Sequence, residues 1–372
     1  MRSFRRQNWL AIRFIIMLLL GTVSAHSNFA QEAEPPPLLK APEKFDGVGV
    51  VRPKNFYEDW NNLSLSTSTL APIDPLLGLT DEPKGKNFVR ELYQVGWRPG
   101  DTIDLYVVLP KGVKNPPVVV YLYDFPQDTA RFKNDRWCEL ATQNGVAAVG
   151  FVSALTGHRF HDRPMKEWFI SELQESLVTT AHDVQMVLNY LETRGDLDMT
   201  RVGMYGSGSG GTIGILAASV DPRIKVLDVL SPWGDWPEWL ATTSKLKPEE
   251  HQKFLKPEFL AKVAPFDPVN CLSKVKTQRV RVQNIRSSPE VSDKAELAIE
   301  AAAPDTTVLY QYGDSLALVR ATTTNGFLGW MEKQLKAAPE EKAVADREKN
   351  THFFAALGGK LPDPNEPIQR MN

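Results

Sequence analysis

Residues Arg201 to Thr212 read RVGMYGSGSGGT. A β-rich run, Val202 to Tyr205, passes through glycines into an apolar helical pattern that continues from Gly210 to Val220. This is the strand, sharp turn and helix on which a G-x-S-x-G pattern displays a nucleophilic serine. In that register the outer glycines are Gly206 and Gly210, and the middle position is Gly208. A glycine has no side-chain atom with which to form a covalent intermediate. Ser207 and Ser209 flank it, but a strained turn aims one side chain at a substrate and turns its neighbours elsewhere.

Outward from this turn, strand-like and helix-like patterns alternate. FVRELYQVGW from Phe88 and TIDLYVVLP from Thr102 read as an antiparallel pair joined by Arg98 to Asp101. PPVVVYLYD and GVAAVGFVSAL are continuous apolar runs of the kind buried on both faces of a parallel sheet, separated by the helical stretch DTARFKNDRWCELATQNG. Leu177 to Arg194 places Ala181, Val184, Val187, Leu188 and Leu191 on one helical face. Strands follow at Ile224 to Leu230, Arg279 to Ile285 and Thr306 to Tyr312, and a helix closes at Gly326 to Leu335. The alternation predicts an α/β fold, a doubly wound and mostly parallel sheet with right-handed crossovers. A helical insert, Pro237 to Lys276, reads as a small lid over it.

From about Phe88 to Leu335 the chain resembles the α/β-hydrolase superfamily, nearest its dienelactone hydrolase and acetyl-xylan-esterase-like branch. The hairpin before PPVVVYLYD, the helix within HDVQMVLNYLETRGDLDMTRVGMYG, the glycine turn and DPRIKVLDVLSPWGDW carry the resemblance. It implies hydrolysis of esters, lactones, thioesters or peptides by a Ser, Asp, His triad, without metal or cofactor. The triad positions are then degenerate: Gly208 stands for the nucleophile, and no histidine follows the last strand until His352 in the polar tail. For the acid, Glu290 and Asp293 fall away from the expected spot, and Asp235, one strand earlier, fits better. A displaced nucleophile would be Ser207 or Ser209, served by His161 and Asp235. The backbone N–H groups of Ser209 and Phe125 are the oxyanion donors the resemblance implies, with Gly208 in the turn beside them. A glycine turn opening a helix also suits an anion or a polarised carbonyl, so a small carbonyl or carboxylate ligand, or a partner, is the expected occupant.

The loop after the second buried strand, TGHRFHDRPMKEWF, concentrates His158, Arg159, His161, Asp162 and Arg163. It supplies a replacement base or an arginine clamp for an acidic ligand, or else salt bridges that pin the loop. His158, His161 and Asp162 lack the i, i+4 spacing and the distant third ligand of a metal site, so none is assigned. Gly206, Gly208 and Gly211 also satisfy G-x-G-x-x-G, with Asp228 further on. Two buried strands precede this pattern and Asp228 falls inside its strand, which argues against a dinucleotide fold.

With 372 residues, 42% hydrophobic and 24% charged, the chain has the composition of one globular domain with insertions, which excludes disorder throughout. Arg2, Arg5 and Arg6 precede an apolar run, Phe14 to Leu20, and small residues follow, the pattern of a signal peptide over residues 1–25. Cleavage near Ala25 or Ala30 implies export to a periplasm or the medium, without a membrane span afterwards. Loss of residues 1–25 leaves 39 basic against 45 acidic side chains, a net charge of −6, which disfavours nucleic acid as a partner. Residues 26–87, rich in proline and polar residues, read as an extended arm, 88–335 as the domain and 336–372 as a polar tail. Cys138 and Cys271 either bridge or stay reduced. Trp233, Trp236 and Trp239 either line a cleft beside Asp235 or pack the insert. The oligomeric state is not written in the sequence.

Overall fold

The computed structural model describes residues 57–70, 75, 77–98, 101–125, 129–155, 170, 172–277, 279–286, 288–323, 326–336 and 353–354. The candidate cleavage sites Ala25 and Ala30, the loop carrying His158, Arg159, His161 and Arg163, and all of the tail but Lys336 and one dipeptide lie outside the described residues.

An antiparallel meander opens the sheet: β1 (Leu77–Asp81), β2 (Phe88–Arg98) and β3 (Asp101–Pro110). Parallel strands follow, β4 (Pro117–Leu122), β5 (Ala147–Phe151), β6 (Asp198–Ser207), β7 (Ile224–Leu230), β8 (Val280–Ile285) and β9 (Val308–Tyr312), and the dipeptide β10 (Phe353–Phe354) pairs with β9. Their spatial order is β1-β2-β3-β5-β4-β6-β7-β8-β9-β10. The winding reverses at β4, which has β5 on one side and β6 on the other, and the glycine turn after β6 lies at the carboxyl edge beside this switch point, where doubly wound sheets bind ligands.

Side chains of a strand alternate between faces, and β4 uses both. Val118, Val120 and Leu122 join one core with Val202 and Met204. Helices α2 (Leu173–Arg194) and α3 (Ser209–Val220) belong to that face. Val119, Tyr121 and Tyr123 join a second core with Tyr205, α1 (Asp135–Thr142) and the closing helix α10 (Gly326–Lys336), through Trp330, Met331 and Leu335. All six residues of β4 are buried because helices cover both of its faces. Between β7 and β8 come α4 (Trp236–Thr242), α5 (His251–Phe254), α6 (Pro257–Val263) and α7 (Pro268–Cys271). After β8 comes α8 (Asp293–Ala302), and after β9, α9 (Ser315–Thr323).

Trp233, Trp236 and Trp239 take the packing role: all three are fully buried, and the rings of Trp233 and Trp239 stack 4.7 Å apart. Cys138 and Cys271 are free and buried. Strand β1 lies in the stretch read as arm; Gly78 to Asp81 are exposed at the sheet edge, so no alternation announces the strand. Residues 57–65 fasten onto α2 through buried charge. Glu58 takes both a 2.6 Å and a 2.7 Å bond from Arg98, and Arg98 also bonds Asp183. The His182 ring bridges Glu58 and the Asn62 carbonyl, each at 2.8 Å.

Candidate functional site

The turn between β6 and α3 has room for nothing larger than glycine at three points. A Cβ on Gly206 would lie 2.2 Å from the Gly210 carbonyl oxygen, and one on Gly210 would lie 2.1 Å from the Leu122 carbonyl oxygen. These contacts bring strand, turn and helix backbones together, which is why the outer glycines of the pattern are glycine. Gly208 adopts φ 51°, ψ −121°, in the left-handed region where an L side chain is strained. A Cβ there would meet the Asp124 carboxylate, with Oδ1 at 2.3 Å. The space into which a nucleophile's side chain would grow is filled by a carboxylate from the loop after β4.

Asp124 is fixed from several sides. Its Oδ1 accepts the Ser209 N–H at 3.0 Å and the Ser209 hydroxyl at 3.1 Å, and the Ser209 oxygen in turn accepts the Phe125 N–H at 2.9 Å. Lys245, from the helical insert, reaches Asp124 Oδ2 at 3.4 Å and Glu290, beyond β8, at 3.0 Å. Its ammonium lies 5.6 Å from the centre of the Trp233 ring. Burial pushes the Asp124 carboxyl up to about 6; Lys245 and the Ser209 N–H act against that rise, and Glu290 adds to it. Burial disfavours the Lys245 ammonium, but Asp124 and Glu290 outweigh it and hold the group above the ordinary lysine range.

This arrangement corrects the expected oxyanion pair. The N–H groups of Ser209 and Phe125 donate to different acceptors, the first to Asp124 and the second to the Ser209 hydroxyl oxygen, so both are spent within the protein. Ser209 is 2% exposed and its hydroxyl is engaged on both sides, which denies it to a substrate. Ser207 differs: it is half-buried, lines two adjoining cavities, and its hydroxyl makes no hydrogen bond among the described residues. Asp235 stands at the N-terminus of α4 with φ 53°, and its N–H donates to Asp267 at 2.9 Å. Its carboxylate makes no hydrogen bond among the described residues, so nothing ties it to Ser207. His161, with His158, Arg159 and Arg163, lies outside the described residues.

The larger cavity, about 410 Å³, is bounded by Asp124, Ser207, Arg131, Arg136 and Trp137. A second of about 220 Å³ shares Tyr123, Arg131, Trp137, Leu140 and Ser207 with it and runs on to Leu230, Leu318 and Leu328. Beneath the turn, Asp228 in β7 is spent on a two-pronged pair with Arg281 in β8, at 2.9 and 2.6 Å, and on Gln283 at 2.8 Å. A carboxylate so engaged in mid-strand is not available to a dinucleotide ribose.

Sequence reasoning missed Asp124 and Lys245 and set Glu290 aside. A charged residue ending the apolar run PPVVVYL was the available signal for Asp124. Lys245 is 121 residues away in the chain, and nothing local announces that contact.

No family model and no curated protein sequence matches the chain. Solved structures do. Acetyl xylan esterase 1 from Thermoanaerobacterium sp. JW/SL YS485 superposes with a TM-score of 0.56 at 13% identity, over 75% of this chain and 92% of that one. An S-formylglutathione hydrolase from Agrobacterium tumefaciens gives 0.52 at 14% identity, over 69% and 98%. An acylaminoacyl peptidase gives 0.54 at 15% identity, over 70% of this chain and 44% of that one. At these identities the likeness is one of architecture, and it agrees with the strand order and the turn after β6: the chain has the α/β-hydrolase fold.

Proposed function

We propose that this chain is a non-catalytic or only weakly active protein of serine-hydrolase ancestry, which binds a small carbonyl or carboxylate ligand, or a partner, beside the former nucleophile turn. The observation that carries the proposal is Asp124. Its carboxylate takes the space of the nucleophile's side chain and one of the two backbone donors that would stabilise an oxyanion. Losing one such donor costs an acyl-transfer enzyme about a hundred- to a thousandfold in rate; here both are engaged and the nucleophile is glycine. The same proposal makes the protein exported, on the basic and apolar N-terminus that ends near Ala25 or Ala30. Mass determination of the N-terminus of the secreted or periplasmic form checks that part.

One observation favours a second reading. The Ser207 hydroxyl opens on both cavities without a hydrogen bond among the described residues, and as a displaced nucleophile served by His161 and Asp235 it would make the chain a carboxylesterase. Short-chain p-nitrophenyl esters and thioesters, assayed with the mature protein and with Ser207→Ala, separate the two. Turnover at the solvent background in both supports the binding protein. Turnover that disappears with Ser207→Ala establishes the esterase.

A further inference from the structure

We infer that the two adjoining cavities form one site for a small amphipathic monocarboxylate. Its carboxylate would lie against Arg131, Arg136 and Ser207, and its apolar body would fill the lobe walled by Leu230, Leu318 and Leu328. The inference rests on the preceding reading, that the site binds and does not hydrolyse.

Charge is the first argument. Arg90, Arg98, Arg194, Arg223 and Arg281 each hold a carboxylate of the protein. Arg131 and Arg136, on the wall of the larger cavity, hold none among the described residues. Arg131 is kept in place by stacking: its guanidinium carbon lies 4.4 Å from the centre of the Tyr123 ring. That leaves the edge of the guanidinium fork, the part that matches a carboxylate, without a partner among the described residues. Ser207 adds to the lining a hydroxyl that makes no hydrogen bond among the described residues. The acid on the same wall, Asp124, bonds Lys245 and the Ser209 N–H and no arginine among the described residues.

Shape is the second argument. The larger cavity falls within the usual size of small-molecule sites, about 300–1,000 Å³. The smaller lobe changes character: beyond Ser207 and Arg131 its walls are the rings of Tyr205 and Trp137 and leucines from β7, α9 and α10. A bare inorganic anion would leave that lobe empty, and an alcohol would leave the arginines without a counter-charge. Trp137, whose ring N–H donates to the Tyr123 hydroxyl at 3.0 Å, stands where the two lobes meet.

Calorimetric titration of the mature protein with octanoate, octan-1-ol and inorganic phosphate tests the inference, with Arg131→Gln and Leu318→Ser as variants at exposed or half-exposed positions. Octanoate is expected to bind, and the alcohol and phosphate each at least about tenfold more weakly. Arg131→Gln should weaken octanoate about ten- to a hundredfold with an unchanged melting temperature, as loss of a charged hydrogen bond does. Leu318→Ser should weaken octanoate without touching phosphate. Equal binding of octanoate and octanol, equal binding of octanoate and phosphate, or no octanoate binding to folded protein would each overturn the inference. Its failure is distinct from failure of the functional reading, which is decided by ester turnover in the absence of octanoate.

Discussion

Gly208 and Asp124 are one device seen from two sides. The backbone at Gly208 keeps the strained dihedrals of a displayed residue, while the carboxylate opposite fills the space in front of it. Replacing the glycine with serine is therefore expected to be harmful and unproductive. Gly208→Ser should leave ester turnover at background and lower stability by about 1–3 kcal/mol, from a strained φ and a steric clash, measurable by urea unfolding. Asp124 itself sets a pH dependence. Its carboxyl is pushed up to about 6 from 3.8, so the folded state binds that proton more tightly than the unfolded chain does. The penalty for ionising it is present above about pH 6 and is relieved as pH falls towards 4. Measured by urea unfolding, wild type should gain stability relative to Asp124→Asn between about pH 7 and about pH 4. A difference that stays flat or moves the other way would show that the carboxyl is not buried against the turn.

At the scale of elements, the segment from Glu58 to Leu63 is held to α2 by the Glu58, Arg98, His182 and Asp183 cluster. Arg98 is almost fully buried and Glu58 1% exposed in its side chain, so each depends on the other. Despite its burial, bonds from His182 and Arg98 hold the Glu58 carboxyl down at about 2, against 4.5 for a free one. A lowered carboxylate contributes stability above its unfolded value, and that stability is lost as pH falls from about 4.5 towards 2. Glu58→Gln should therefore destabilise the protein by about 2–3 kcal/mol at neutral pH and flatten the acid limb of its unfolding curve. Some of these elements could be read directly. β4 and β5 are buried on both faces and so appear as unbroken apolar runs, and α2 shows its apolar stripe. The turn after β6 was legible because backbone contacts at Gly206 and Gly210 admit only glycine. Other parts left no local trace. β1 is an exposed edge strand, whereas α9, just after β9, does carry a local sign that sequence reasoning missed: Asp314 caps it, accepting the Ala317 N–H at 2.7 Å. The Asp124, Lys245 and Glu290 cluster joins three separate connections of the sheet, and sequence spacing carries no record of that meeting.

For the molecule as a whole, the two cores meet across a sheet whose centre carries charge. Arg281, fully buried, pairs with Asp228, lies 4.6 Å from the centre of the Trp330 ring on the closing helix, and neighbours Gln283, which accepts the Tyr312 hydroxyl at 2.8 Å. Removing one partner leaves a buried charge unmatched, so Arg281→Met should cost about 3–5 kcal/mol and loosen α10 together with β8, visible as faster amide exchange in both. The molecule thus has the sheet, turn and carboxyl-edge cavities of the α/β-hydrolase architecture, and in the proposed function its reacting centre is closed by the protein's own carboxylate. Labelling of the folded mature protein with a fluorophosphonate, followed by mass mapping, tests that claim most directly, because the reagent bonds only to an activated serine. The expected result is an unmodified chain. Modification of Ser207 would contradict it and show a working nucleophile beside the closed turn.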